Sequence, residues 1–101
     1  MEKKKPHYEL GAIQQVVATR RVNAFTATAL LGAAHLGLSP DEAVEVVLEM
    51  KSGAFYKSMI THADHTIWQD VYHVALRSKC VAYIKITMRE NGTVVIQFKE
   101  K

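Results

Sequence analysis

The stretch VAYIKITMRENGTVVIQFK, residues 81 to 99, alternates apolar and polar side chains on either side of Glu90-Asn91-Gly92, and its pairing decides what the fold buries. Alternation of this kind marks half-buried strands, and an Asn-Gly step between two such runs marks a hairpin. Two registers compete. A two-residue Asn91-Gly92 turn pairs Glu90 with Thr93, which sets Lys85 beside Phe98 and Lys99 beside Ile84 and leaves both faces mixed. A three-residue loop, with Gly92 in the left-handed conformation and a bulge after it, pairs Arg89 with Thr93 instead. The faces then separate. Ile84 lies with Phe98, Ile86 with Ile96 and Met88 with Val94 on one side; Tyr83 lies with Lys99, Lys85 with Gln97 and Thr87 with Val95 on the other. A one-residue slip would turn every apolar side chain to the wrong face, so burial selects the second register.

Upstream, the pattern is helical. Leu10, Ile13, Val16 and Val17 fall at three- and four-residue spacing within Tyr8 to Arg21, so one helix is expected there, after Pro6. Val22 to Phe25 is expected to be briefly extended. Thr26 can cap a second helix that buries Ala27, Leu30, Leu31 and Ala34 and ends at Gly37. Ser39-Pro40-Asp41-Glu42 is a capping box with proline at the first helical position, opening a third helix with an apolar stripe of Ala43, Val44, Val47, Leu48 and Met50. Lys51-Ser52-Gly53-Ala54 breaks it. After Gly53 the period drops to about two, with strands expected at Phe55 to Thr61, Ile67 to Leu76, Val81 to Arg89 and Thr93 to Lys99. The class is α+β: three N-terminal helices packed on one face of a twisted C-terminal antiparallel sheet.

The chain of 101 residues is expected to form one domain, and its 49% hydrophobic content supports a core without staples. Cys80 is the one cysteine, so no intrachain disulfide forms, and a cytoplasmic setting is the default. No apolar block follows the basic MEKKKPHYEL, which argues against a secretory signal, and no run has the length of a membrane span. Net charge is +3, unevenly spread: residues 1 to 50 carry five basic and six acidic side chains, residues 51 to 101 eight and four. The cationic second half suits an anionic partner such as nucleic acid.

On the hairpin's polar face, Tyr83 interleaved with Lys85, Gln97 and Lys99 offers base stacking together with phosphate neutralisation. Lys and Gln are also ordinary on the solvent side of a sheet. The stretch FYKSMITHADHTIWQDVY, residues 55 to 72, adds Lys57 and Gln69, and His73 follows it; all three can join the same face. Neighbouring lysines lower one another's pKa, which favours proton transfer. RNA supplies its own nucleophile, the 2′-hydroxyl; cleavage needs a proton acceptor, charge stabilisation on the phosphorane and a proton donor to the 5′ oxygen. Lys, Tyr, Gln and His suffice for this. A metal-dependent nuclease would want clustered carboxylates, whereas Asp64, Asp70, Glu90 and Glu100 are scattered. His62 and His65 form an H-x-x-H pair without a second pair of ligands, so no cofactor or metal is expected. Trp68 and Phe55 read as core; Tyr56 and Met59 read as core or base contact. Asp70 orients a lysine or bonds within the sheet, and His7 and His35 suggest no function. The third helix carries Asp41, Glu42, Glu45 and Glu49, the wrong charge for a DNA recognition helix. A non-catalytic nucleic-acid or protein-binding module is the main alternative.

FYKSM, DHTIWQDVY, YIKIT and the terminal FKEK, with the opening MEK and PH, resemble the motility quorum-sensing regulator toxins, a RelE-like family of mRNA interferases. The resemblance spans the chain and is densest from Phe55 to Tyr72. It implies a RelE-like fold and a ribosome-independent endoribonuclease cutting mRNA at GCU-type sequences, the toxin of a type II toxin–antitoxin system. It further implies a cognate antitoxin with a zinc-binding domain and a helix-turn-helix that contacts promoter DNA, so that any zinc belongs to the partner. The family's active-site set maps onto Lys57, Gln69, Tyr83 and Lys99; Tyr56, Met59, His73, Lys85 and Gln97 are candidate RNA contacts on the residue reading alone. Departures from the family pattern are Ala54 for an acidic residue, Ile60 for Thr, a longer turn at Asn91-Gly92, and His73 where Arg often stands.

Overall fold

The computed structural model describes residues 1–61 and 66–101; His62, Asp64 and His65, and with them the H-x-x-H pair, lie outside the described residues. The chain runs β1 (Glu2–Lys3), α1 (Leu10–Arg20), α2 (Ala27–His35), α3 (Pro40–Glu49), β2 (Phe55–Ile60), β3 (Trp68–Ala75), β4 (Val81–Ile86) and β5 (Val95–Glu100). The five strands form one sheet in sequence order, every neighbouring pair antiparallel. Helices pack on one face through Ile13, Val17, Ala29, Ala33, Val44 and Val47 against Tyr72, Ile84, Ile86 and Phe98.

The caps that were legible form as expected. Ser39 and Glu42 make a reciprocal capping box at α3. Thr26 Oγ1 accepts from the Ala29 N–H at 3.0 Å and itself donates to the Ile96 carbonyl, so one hydroxyl both starts α2 and ties it to β5. The C-terminal carbonyls of α3 are met from outside, by the Gln14 amide donating to the carbonyls of Val47, Leu48 and Met50.

The hairpin adopts the three-residue loop, with Gly92 at φ 85° and the Arg89 N–H donating to Thr93. Tyr83 pairs with Lys99, Ile84 with Phe98 and Lys85 with Gln97. Beyond Lys85 the expectation fails: Ile86 pairs with Val95 rather than Ile96. Thr87 is buried and bonds toward Val94, and Met88 is 44% exposed. The cause lies on the outer edge of β5. The Val94 N–H donates to Ala24, the Thr26 N–H donates to Val95, and Phe25 bridges Val95 in parallel, so Val94 and Val95 are both drawn into the core. A bulge at Ile96 absorbs the extra residue. Of Val22 to Phe25, expected to be extended, only Phe25 is; Val22 to Ala24 belong to a 3-10 turn over Arg21–Ala24 that delivers Phe25 to this bridge.

The buried face of α2 also differs from expectation. Leu31 is 60% exposed and Ala27 and Ala34 face solvent, while Ala29 and Ala33 are fully buried and Leu30 partly so. Small residues win because α2 lies directly on the β5 backbone: a Cβ on Gly32 would overlap the Phe98 carbonyl oxygen. Trp68 is not core either. It is half-buried, stacked under His7 at 5.5 Å with the Lys3 ammonium 4.3 Å above its ring.

Gly32→Ala normally stabilises a helix interior by about 0.5–1 kcal/mol. Here the sign should reverse, with a loss of about 1–3 kcal/mol from overpacking, read as a fall in the urea midpoint at unchanged slope.

Candidate active site

Alternation along β3 sends Trp68, Asp70, Tyr72 and Val74 toward the helices and Gln69, Val71 and His73 to the open side. Pairing extends this into three cross-strand rows on the open face. Glu2, Met59 and Gln69 form the first; Lys57, Val71, Lys85 and Gln97 the second; His73, Tyr83 and Lys99 the third. Rows lie about 7 Å apart and strands about 5 Å apart. A bulge between Phe55 and Lys57 breaks the β2 alternation, so that Phe55 stays against Tyr72 on the helix side while Tyr56 turns out to stack on His73 at 4.2 Å.

All nine residues singled out in the sequence, Lys57, Gln69, Tyr83, Lys99, Tyr56, Met59, His73, Lys85 and Gln97, therefore lie on one face. The contacts between them are dense. His73 sits 5.6 Å from Tyr83, and the ammonium groups of Lys99 and Lys85 stand 5.2 and 5.8 Å from the Tyr83 ring. Lys57 stands 5.5 Å from the Tyr56 ring. Val71, the one aliphatic strand residue in the middle row, is fully buried although no helix covers it. Its cross-strand neighbours are Lys57 and Lys85, whose alkyl stems can cover it while their charged ends stay above the sheet.

The electrostatics separate these groups. Burial, then the charges of Lys99 and Lys57, lowers the Lys85 pKa. Lys57 goes the other way, because the Glu2 carboxylate accepts from its ammonium at 2.5 Å and raises its pKa. Mutual repulsion among lysines, the effect expected from the sequence, is thus second to burial at Lys85 and overridden at Lys57. Burial raises the Tyr83 pKa, so its phenol keeps its proton at neutral pH. His73 is lowered by burial first and then by Lys101 and Lys57, which leaves an uncharged ring.

Glu2 is the residue that sequence reasoning missed. It was invisible because a two-residue edge strand, Glu2–Lys3, has no period to detect. Asp70, in contrast, orients no lysine; its buried carboxylate accepts the backbone N–H groups of His7 and Tyr8 at 3.0 and 2.9 Å. Among the described residues no three His, Cys, Asp or Glu side chains stand close enough to share a metal ion. No helix among them is long and apolar enough to cross a membrane.

Fold and face together define a class: a small α+β protein whose helix-free sheet face gathers cations and stacking rings from four strands. The family described as "Motility quorum-sensing regulator, toxin of MqsA" matches residues 5–100. The mRNA interferase toxin MqsR of Escherichia coli (strain K12) is 43% identical over 101 residues, which is all of this chain and all of that protein. The chain belongs to the motility quorum-sensing regulator toxin family.

The His73 shift makes a signed prediction. Because the folded ring binds its proton less readily than the unfolded one, this residue's contribution to stability is complete above the ordinary imidazole value of about 6.5 and is lost as pH falls from there through the lower value of the folded ring. An NMR titration should place the His73 midpoint below that of a free imidazole, and Lys101→Ala should move it upward.

Proposed function

We propose that this chain is the toxin of a type II toxin–antitoxin pair, an mRNA interferase that cleaves RNA without a metal ion at short GCU-type sequences. The observation that carries this reading is the strand register, which puts Lys57, Gln69, Tyr83 and Lys99 on one solvent-facing surface with aromatic rings between the cations. Family membership supports the same activity.

In this reading the RNA lies across the three rows, with its phosphate between Lys57 and Lys99 and bases against Tyr56, Met59 and His73. Gln69 and Gln97 position the strand by hydrogen bonding. Lys85, the lysine whose surroundings most favour the neutral amine, takes the 2′-hydroxyl proton, and the 2′ oxygen attacks the adjacent phosphorus. Lys57, held as a cation, stabilises the added negative charge on the phosphorane, together with Lys99. The bond from phosphorus to the 5′ oxygen breaks, and that oxygen takes the Tyr83 phenol proton. The products are a 2′,3′-cyclic phosphate and a 5′-hydroxyl. Lys85, 5.8 Å from the Tyr83 ring, can then return its proton to the phenolate. The cognate partner is an antitoxin carrying zinc-binding and helix-turn-helix domains, through which the toxin reaches promoter DNA only indirectly.

Incubating the protein with a defined RNA and sequencing the new 5′ ends tests the activity. Cuts at one short motif, unaffected by a chelator, are expected. Lys57→Ala and Lys99→Ala should each lower kcat/KM by about 10²-fold or more at unchanged fold, since each removes a group acting on the reacting phosphate. Single variants that cut at the wild-type rate would falsify the site. Intact RNA with salt-sensitive retention would instead favour a binding module.

A further inference from the structure

We propose that Glu2 is a positioning residue of the RNA-cleaving site, holding the Lys57 ammonium in place from the outer edge of the sheet. The proposal rests on the reading given under Proposed function, and three observations beyond that reading lead to it.

The first is location. β1 is the edge strand on the β2 side of the sheet, so Glu2 lies on the side of Lys57 away from Tyr83, Lys85 and Lys99. It grips the ammonium from outside and does not cover the centre of the face. The second is stoichiometry of donors. A lysine ammonium carries three N–H groups; Glu2 takes one at 2.5 Å, which leaves two for phosphate oxygens. The carboxylate and a substrate phosphate can therefore share Lys57 without competing for one hydrogen.

The third is how firmly Glu2 is itself held. End segments are mobile unless tied down, and this one is tied at many points. Lys3 pairs with Ser58, and the Lys3 ammonium lies over Trp68 and 3.0 Å from His7 Nδ1. The His7 ring stacks on Trp68, and the backbone N–H groups of His7 and Tyr8 both end on the buried Asp70. Tyr8 Oη donates to the Trp68 carbonyl and lies 2.9 Å from Thr87 Oγ1. Tyr8 packs against the edge of the core, and what the strap delivers to the open face is a carboxylate against Lys57. Among the described strand residues of the three rows, Glu2 is the one carboxylate. A flexible four-carbon lysine stem loses conformational freedom when it must meet a phosphate, and a fixed counter-charge removes much of that loss beforehand.

The test uses the full chain and an RNA oligonucleotide with one cleavage site, together with its 2′-deoxy analogue for binding. Glu2→Gln keeps the size and an acceptor but removes the charge. It should lower kcat about tenfold while KM and the affinity for the deoxy analogue change less than about twofold, since charge-assisted bonds are roughly twice as strong as neutral ones. Glu2→Asp, which keeps the charge on a shorter stem, should recover part of the loss. Thermal melting of both variants should match wild type, which separates loss of positioning from loss of the strap. Unchanged kcat in Glu2→Gln overturns the proposal. So does a gain in affinity or rate, which would make the carboxylate an obstacle, and so does a loss that Asp fails to restore or that tracks a lower melting temperature. Lys57→Ala run alongside keeps the two readings apart: if it cleaves normally, the site assignment itself fails; if it is inactive while Glu2→Gln is not, only the role of Glu2 fails.

Discussion

The strict two-sidedness of β4 is the constraint on which the rest depends. Ala82, Ile84 and Ile86 are fully buried against the helices, and Tyr83 and Lys85 alternate with them on the other side. Burying Ile84 and Phe98 as a pair forces Tyr83 and Lys99 together on the open face, because side chains along a strand cannot choose sides independently. The energetic drive is asymmetric. An aliphatic side chain gains about 1.5–3 kcal/mol on burial, whereas a lysine moved to the core would have to lose its proton or find a partner there. The apolar half of the sheet therefore does the selecting, and the cationic half follows.

That selection creates a cost which the fold tolerates. Lys57, Lys85, Lys99 and Lys101 all bear on the face where only Glu2, among the described row residues, opposes them, and this crowding adds to burial, the larger cause, in lowering the pKa values of Lys85 and His73. Like charges gathered on a folded surface destabilise it relative to the unfolded chain, where they can spread apart. A bound polyanion reverses the sign of that interaction, so ligand affinity and the instability of the free face have one source. Sites of function are where local rules for stability are broken. Here the rule is broken on one surface only, and the helix side remains conventional in composition.

Much of this was legible in the sequence, and the failures have physical reasons. The capping box at Ser39, the Thr26 cap, the left-handed Gly92 and the central pairs of the hairpin follow from local chemistry, which sequence records directly. The face of α2 was misread because large apolar residues were given priority, while close approach to the β5 backbone selects Ala29, Gly32 and Ala33. The end of the hairpin was misread because its register is set by Ala24 to Thr26 bonding to β5 from about seventy residues away in sequence, a non-local contact with no local signature. The four residues on β4 and β5 were found from alternation alone. Lys57 and Gln69 stood out as polar residues in a stretch otherwise patterned as sheet, and the family resemblance added their place in an active-site set; the bulge that turns Tyr56 outward had no signal at all.

Glu2 marks the limit of that legibility and also what lies beyond it. An isolated Glu near a chain end has no periodicity, no motif and no apolar neighbour to place it; its position follows from Asp70, Trp68 and Thr87, residues that lie sixty or more positions further along. Those three are themselves on the helix side or at the rim of the sheet, so the contacts that fix the strap are on the opposite side from the charge it presents. The strap thus converts packing against one part of the sheet into electrostatic order on the other. A lysine cluster assembled by strand register alone would leave each ammonium free on its own stem. The added edge strand makes one of them directional, and that difference between a basic surface and an organised site rests on a two-residue strand.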